Sequence, residues 1–258
     1  MRLMKRILSA AAVLALSASL LVGCGSGTAS SVPVSASSAA ESTVSSVEET
    51  ASSAVDENEA AAAQLLNDLT GSYQELWPVI LADEYKQTWL DDCTALVGEE
   101  NAEAAFEKLS SMVTGDVYGE DAVEAYANGG GAYFCGFTND LATLTFDGET
   151  STISGTDKDG NVLFSHTYHY IGMEPVRGLY EFESDDADSG EFTYFFLAPD
   201  TSAETYHIEF RYGSDADALS QYDAGDYAYW LASGISTDCD QTMIDNCIEL
   251  FCTENLAG

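Results

Sequence analysis

Basic residues are scarce in this chain. Its 258 residues include 8 Lys and Arg against 44 Asp and Glu, which gives a formal net charge of −36 at pH 7. Such a charge repels phosphate backbones, so it excludes nucleic acid as a partner and makes anionic lipid headgroups unattractive to the folded part. Histidine is also rare: the chain has three, which leaves few candidates for acid-base chemistry or zinc ligation.

The usual signatures of catalysis are missing as well. The sequence has no Gly-x-Ser-x-Gly elbow, no His-Glu-x-x-His motif and no phosphate-cradling glycine-rich loop before a helix. Acidic residues are so numerous that no glycosidase-like pair can be singled out. We therefore expect a binding or structural protein and not an enzyme.

The first 24 residues have the parts of an export signal. A short basic start is followed by an apolar stretch that runs to Gly23. Residues 21–24 read Leu-Val-Gly-Cys, which resembles a lipobox, the motif in which the cysteine becomes the lipid-carrying first residue. We expect residues 1–23 to be a signal peptide. The protein is then extracytoplasmic, and its only membrane contact is the lipid anchor on Cys24.

A composition change separates a tether from a folded domain. Residues 24–60 begin with the lipidated Cys24 and continue as a Ser-, Ala- and Glu-rich segment without aromatic residues. Such a segment buries too little apolar surface to offset the entropy of ordering it, so we expect it to be disordered. Residues 61–258 are long enough for one sizeable core and are predicted to form a single domain.

The domain begins with helical periodicity and then changes to strand-like alternation. Apolar residues from Leu65 to Trp77 recur at spacings of three and four, which predicts a helix, and residues 240–253 predict another at the end. Between them the candidate strands are 133–138, 141–146, 150–156, 162–171, 178–183, 191–198 and 205–212. Seven short strands with tight turns predict an antiparallel β-barrel, so the fold is mainly β with flanking helices.

Five cysteines follow Cys24 in the sequence. Export permits disulfides but does not require them. Cys239, Cys247 and Cys252 lie close together, which makes one local bridge an option, and no pair has the two-residue spacing of a zinc knuckle or a redox site. We interpret these cysteines as structural or inert.

Several strings, taken in their order along the chain, resemble the ZinT family of zinc-binding lipocalin-like proteins. They are Leu-Thr-Gly-Ser-Tyr-Gln-Glu-Leu-Trp-Pro-Val-Ile at 69–80, Gly-Phe-Thr-Asn-Asp at 136–140, Arg-Gly-Leu-Tyr-Glu-Phe-Glu at 177–183, Phe-Phe-Leu-Ala-Pro at 195–199 and Tyr-His-Ile-Glu-Phe-Arg-Tyr-Gly at 206–213. The resemblance covers residues 68–235 and implies a lipocalin-like (calycin) barrel that binds zinc. Family members act in zinc recruitment and uptake, so the implied partners are a divalent metal ion and a metal transporter.

The resemblance also implies a ligand set, which this sequence keeps only in part. The family uses three histidines, and the corresponding positions here are Phe195, His207 and Glu209. Independently of any family, residues i and i+2 of a strand share a face, so His207 and Glu209 point the same way. Zinc normally takes at least three protein ligands, and we expect His169, on another strand, to supply the third. A half-buried histidine that is merely hydrogen-bonded to Glu209 is an equally valid interpretation.

Two other functions remain open at this stage. Phe195 and the 14 tyrosines also fit a metal-free barrel that binds a small apolar or peptide ligand. A structural or interaction module of the cell envelope is the third option. Geometry distinguishes them: donor atoms of His169, His207 and Glu209 within about 4–5 Å of one another favour zinc. A deep apolar pocket lined by Phe195 favours the apolar ligand.

Overall fold

The structure is a computed structural model that describes residues 57–257. The expected signal peptide, Cys24 and most of the tether therefore lie outside the described residues. Helix α1 covers residues 57–68 and so includes four residues that the composition had assigned to the tether. Among the described residues, no helix is both long and apolar enough to cross a membrane.

Eight antiparallel strands close into a barrel in which every strand pairs with its neighbours in chain order, and β8 pairs back onto β1. The strands are β1 (Gly71–Glu75), β2 (Thr143–Asp147), β3 (Thr152–Thr156), β4 (Val162–Met173), β5 (Tyr180–Ser184), β6 (Tyr194–Leu197), β7 (Ile208–Gly213) and β8 (Ala232–Ser236). The predicted fold class, an antiparallel barrel with flanking helices, is confirmed.

The remaining helices lie between and after these strands. They are α2 (Leu76–Ile80), α3 (Lys86–Val97), α4 (Glu99–Val113), α5 (Glu120–Ala127), α6 (Ser202–Thr205), α7 (Ala216–Leu219) and α8 (Gln241–Leu256). Helix α8 is capped at its N-terminus by Asp240, whose carboxylate accepts a hydrogen bond from the backbone N–H of Met243 at 2.9 Å. It packs against α3, α2 and α4 on one side of the barrel.

Three local predictions are wrong. The helical periodicity continues through Tyr73, but the helix ends at residue 68 and Gly71 opens strand β1, which pairs with both β2 and β8 and closes the barrel. Segment 133–138 forms only isolated bridges through Phe134, because Glu75 and Tyr212 side chains take part of its backbone hydrogen bonds. No strand was predicted over β8, since its residues Ala-Ser-Gly-Ile-Ser carry little alternation.

Two apolar cores fill the domain. The barrel core lies inside the barrel and is dominated by aromatic side chains, among them Phe146, Phe182, Phe195, Phe210, Tyr212 and Trp230. The helix core lies between the outside of the barrel and helices α2, α3, α4 and α8, and it contains Trp77, Trp89, Leu109, Ile235 and Ile248. The strand residues that face outward on this side of the barrel therefore meet α8 and not solvent.

Candidate metal site

The candidate site lies where the chain enters β7. Ile208, Phe210 and Tyr212 belong to the barrel core. Because side chains alternate along a strand, Glu209 points to the outer face of the barrel. His207 precedes the first residue of β7 and lies on the same outer side, where its ring is 3.9 Å from the thiol of Cys247 on α8. Both predicted ligands therefore face α8 and not the barrel interior.

The imidazole of His207 is held in one orientation by the backbone. Its Nδ1 lies 2.7 Å from the carbonyl oxygen of Thr205, and the Thr205 hydroxyl donates to the carbonyl of His207 at 2.9 Å. A carbonyl can only accept a hydrogen bond, so Nδ1 donates to Thr205, and Nε2 is the ring nitrogen that remains for another partner. Metal-binding histidines commonly have this arrangement, with one ring nitrogen bonded to a carbonyl and the other free for the metal.

The free nitrogen of His207 faces a carboxylate. Nε2 lies 4.0 Å from Oε1 of Glu209, and the two side chains are 18% and 35% exposed. Two ligand atoms on a tetrahedral zinc, each about 2.0–2.1 Å from the metal, lie roughly 3.3 Å apart. A side-chain adjustment of less than about 1 Å would let both atoms contact one ion. The predicted proximity of His207 and Glu209 is thus present in the structure, together with access from solvent.

Helix α8 places a second carboxylate beside this pair. Partial burial raises the pKa of Glu254, the nearby charge of His207 lowers it, and the charges of Glu209 and Asp200 raise it. Glu254 is thus close enough for the charges of both His207 and Glu209 to act on it, and the residue is exposed to solvent. No sequence pattern pointed to Glu254, since only the packing of α8 beside His207 brings residue 254 near residue 207.

Cys247 is close to His207 but poorly suited to ligation. Burial raises the pKa of its thiol to about 12, and the negative charge of Glu254 adds to the effect. A thiol binds zinc as the thiolate. The buried Cys247 therefore forms part of the wall behind His207 and leaves the carboxylates as the accessible donors.

The expected third ligand, His169, does not join the pair. It lies on β4, next to the barrel-core residue Tyr168 and on the opposite face of the strand, so it points outward. Its side chain is 52% exposed, and its Nδ1 lies 2.8 Å from Oδ1 of Asp185. His169 is separated from His207 and Glu209 because β5 and β6 lie between β4 and β7 in the barrel.

The remaining histidine is paired in a similar way. Nδ1 of His166 lies 2.8 Å from Oδ2 of Asp186. Residues 185 and 186 thus each engage one histidine of β4. Across residues 57–257, no three His, Cys, Asp or Glu side chains are arranged as a complete metal site. The structure therefore shows a two-residue pair with a nearby carboxylate, and ligation by it stays a prediction.

Phe195 occupies the interior of the barrel and not the candidate site. It is fully buried, and it pairs across strands with Tyr212. Its ring centroid lies 5.3 Å from that of Tyr212, 5.4 Å from Tyr168 and 5.8 Å from Phe164. Phe195 is therefore a core residue in this structure, with aromatic rings packed around it.

The comparisons with known proteins found similarity to solved structures only. No protein-family model matches the chain, and no curated protein matches it. One similar solved structure is the Zn(II)-bound ZinT-like domain of Streptococcus pneumoniae AdcA, with a TM-score of 0.46 and 15% identity over 72% of this chain and 89% of that chain. Another is Zn(II)-bound AdcA from the same organism, with a TM-score of 0.42 and 15% identity over 70% of this chain and 34% of that chain. At these levels of similarity the metal chemistry of this chain depends on its own residues.

Proposed function

We propose that this protein is an extracytoplasmic lipoprotein whose barrel domain binds a divalent transition metal, with zinc as the proposed ion, through His207 and Glu209. One observation supports the proposal most directly: Nε2 of His207, left free by the hydrogen bond from Nδ1 to Thr205, lies 4.0 Å from Oε1 of Glu209. Imidazole and carboxylate are both ligands that zinc accepts.

The third protein ligand in this proposal is Glu254. Glu254, on α8, lies near enough for the charges of both His207 and Glu209 to affect its pKa. Its side chain is exposed and has the rotational freedom that a buried donor lacks. Metal binding would draw the Glu254 carboxylate toward the pair, because the cation offsets the repulsion between Glu254 and Glu209. Water completes the coordination sphere of such a three-ligand site.

The role that follows is metal capture at the membrane surface. The lipid on Cys24 would hold the domain there, and the acidic surface would concentrate cations around it. Transfer of the metal to a membrane transporter is the corresponding physiological role, and it belongs to the proposal together with the anchor. Replacement of Cys24 by alanine should release the protein from the membrane fraction and abolish incorporation of a labelled fatty acid.

Zinc titration by calorimetry tests the metal site. The full chain in mild detergent should bind one zinc ion, and His207→Ala and Glu209→Ala should each weaken binding by about 10- to 100-fold or more, since even outer-shell partners of a metal contribute that much. Weak binding at several sites, unchanged by either substitution, would show that only the general acidity of the surface attracts zinc.

Two matched pairs of variants separate specific ligation from charge. Glu254→Gln and Glu249→Gln remove the same charge from the same helix, but Glu249 lies near Asp92 on the α3 side. Only Glu254→Gln should weaken zinc binding. Likewise His207→Ala should weaken it and His169→Ala should not. Loss of zinc affinity in His169→Ala would instead support the ligand set expected from the sequence, in which His169 is the third ligand.

A further inference from the structure

Two buried thiols face each other where α3 packs against α8. Sγ of Cys93 and Sγ of Cys252 are 3.9 Å apart, although the residues are 159 positions apart in sequence. Both residues are fully buried in the helix core. The local bridge that sequence proximity made an option would join two of Cys239, Cys247 and Cys252, but the thiol that Cys252 contacts is that of Cys93.

The other described cysteines have different neighbours. Cys247 lies 3.9 Å from the ring of His207 on the barrel side of α8. Cys135 lies close to Trp77 and Ser233, and the charge of Glu209 helps to raise the pKa of its thiol. Cys239 is half-buried in the turn before α8. Among the described cysteines, the one that lies next to Cys252 is therefore Cys93, on the adjacent helix α3.

We propose that Cys93 and Cys252 form a disulfide under oxidising conditions and thereby join α3 covalently to α8. The S–S bond of a disulfide is about 2.05 Å long, so the two sulfur atoms must approach by about 2 Å. Rotation about the Cα–Cβ bonds moves each sulfur by an amount of that size while the helices stay packed. An extracytoplasmic location is an environment in which such bonds persist.

The reaction is a pair of thiol–disulfide exchanges with a small or protein disulfide as the oxidant. The thiolate of one cysteine attacks the oxidant and forms a mixed disulfide, releasing one oxidant sulfur as a thiolate. The thiolate of the second cysteine then attacks the first cysteine's sulfur and releases the other oxidant sulfur. The protein loses two protons and two electrons, and the oxidant disulfide becomes two thiols.

Burial determines when this reaction takes place. Burial raises the pKa of the Cys93 thiol and of the Cys252 thiol, and full burial also excludes the oxidant from both. Exchange therefore occurs during folding, before α8 docks on α3. After docking, the same burial protects the bond from reducing agents, so release requires unfolding.

Peptide mapping of the refolded full chain tests the proposal directly. The chain, in mild detergent, is unfolded, reduced and refolded in a buffer of oxidised and reduced glutathione, and remaining thiols are alkylated after denaturation. A glutamate-specific protease cuts the chain so that peptide 85–99 contains Cys93 alone and peptide 250–254 contains Cys252 alone. We expect these two peptides to be joined until a reductant is added. Free alkylated Cys93 and Cys252, or a link from Cys252 to the peptide with Cys239 and Cys247, would overturn the proposal.

Thermal unfolding gives a second readout that tolerates a destabilised variant. Because the loop closed by the bond is long, the oxidised chain should melt on the order of 10 °C above the reduced chain. In Cys93→Ala this difference between the two conditions should vanish, whatever the melting temperature itself. The control Cys239→Ala should keep it. An equal difference in Cys93→Ala would show that another pair of cysteines is responsible.

Discussion

The substitution Phe195→His asks whether the barrel interior and the candidate metal site are separate. The family resemblance assigns a histidine ligand to this position, so restoring it should complete the site if the side chain faces His207 and Glu209. In this structure Phe195 belongs to the barrel core, whereas Glu209 is on the outer face of β7. We therefore expect Phe195→His to leave zinc affinity within about twofold of the original protein.

The same substitution should cost considerable stability. A buried phenylalanine contributes about 1.5–3 kcal/mol by its removal from water. An imidazole placed among Tyr168, Tyr212 and Phe164 leaves ring nitrogens without partners, at about 1–3 kcal/mol. The sum is about 2.5–6 kcal/mol, which in a domain of this size lowers the melting temperature by on the order of 10 °C.

Three measurements evaluate this prediction. Calorimetry gives the zinc affinity and thermal unfolding gives the stability, with Phe195→Leu as a control that keeps the interior apolar and should cost less. Unfolding at several pH values adds a signature, because a buried imidazole has a lowered pKa in the folded state. The Phe195→His variant should therefore lose stability as the pH falls below the pKa of the unfolded-state histidine, near 6.5. A tenfold gain in zinc affinity that depends on His207 would refute the assignment of Phe195 to the interior.

Two further predictions concern parts of the fold away from the metal site. Burial and the charges of Glu249, Asp245 and Asp91 raise the pKa of Asp92 above its unfolded value, and its Oδ2 is buried without a hydrogen-bond partner among the described residues. Protonated Asp92 is the form that the folded state prefers, so this contribution to stability is present at low pH and is lost as the pH rises through the folded-state pKa. Asp92→Asn should therefore raise the free energy of unfolding, measured by chemical denaturation, by about 0.5–1 kcal/mol at pH 8 and little at pH 4. A variant that is less stable at every pH would contradict this. Gly148 contacts α1 so closely that an added Cβ would lie 2.4 Å from Cα of Asn67, so Gly148→Ala should cost about 1–3 kcal/mol in the same assay. Gly172→Ala, whose Cβ would meet nothing nearer than 3.5 Å, should be nearly neutral, and an equal loss in both variants would refute the steric argument.

The barrel was predictable because six of its strands alternate strongly between turns of clear composition. Strand β1 was not, since Tyr73 fits a helical spacing after Leu66 and Leu69 as well as an inward strand position. Only the pairing of β1 with β8 decides between these conformations, and β8 is itself unrecognisable by pattern. Both errors concern the strands that close the barrel, where long-range pairing determines the structure and local propensity does not.

Only the part of the candidate site that lies on one strand could be predicted from the sequence. Two residues at spacing i and i+2 share a face by geometry alone, so the proximity of His207 to Glu209 followed from the sequence. Which face that was, and what lies across from it, required the packing of α8. His169 and Glu254 illustrate the difference: the first looked suitable because it lies on a strand, and the second was invisible because it lies on a helix packed from the far end of the chain.

The position of the pair connects the two proposals through α8. His207 and Glu209 belong to the barrel and Glu254 to α8, so a metal held by all three would join the helix to β7. The Cys93–Cys252 bond would fix the same helix to α3, and the two links share no residue. The bond would hold α8, and hence Glu254, in position before any metal arrives, and such preorganisation raises affinity. Zinc should then bind more tightly to the oxidised than to the reduced chain. Glu254→Gln should remove this difference, because without the carboxylate of α8 the position of that helix no longer affects the ligands of β7.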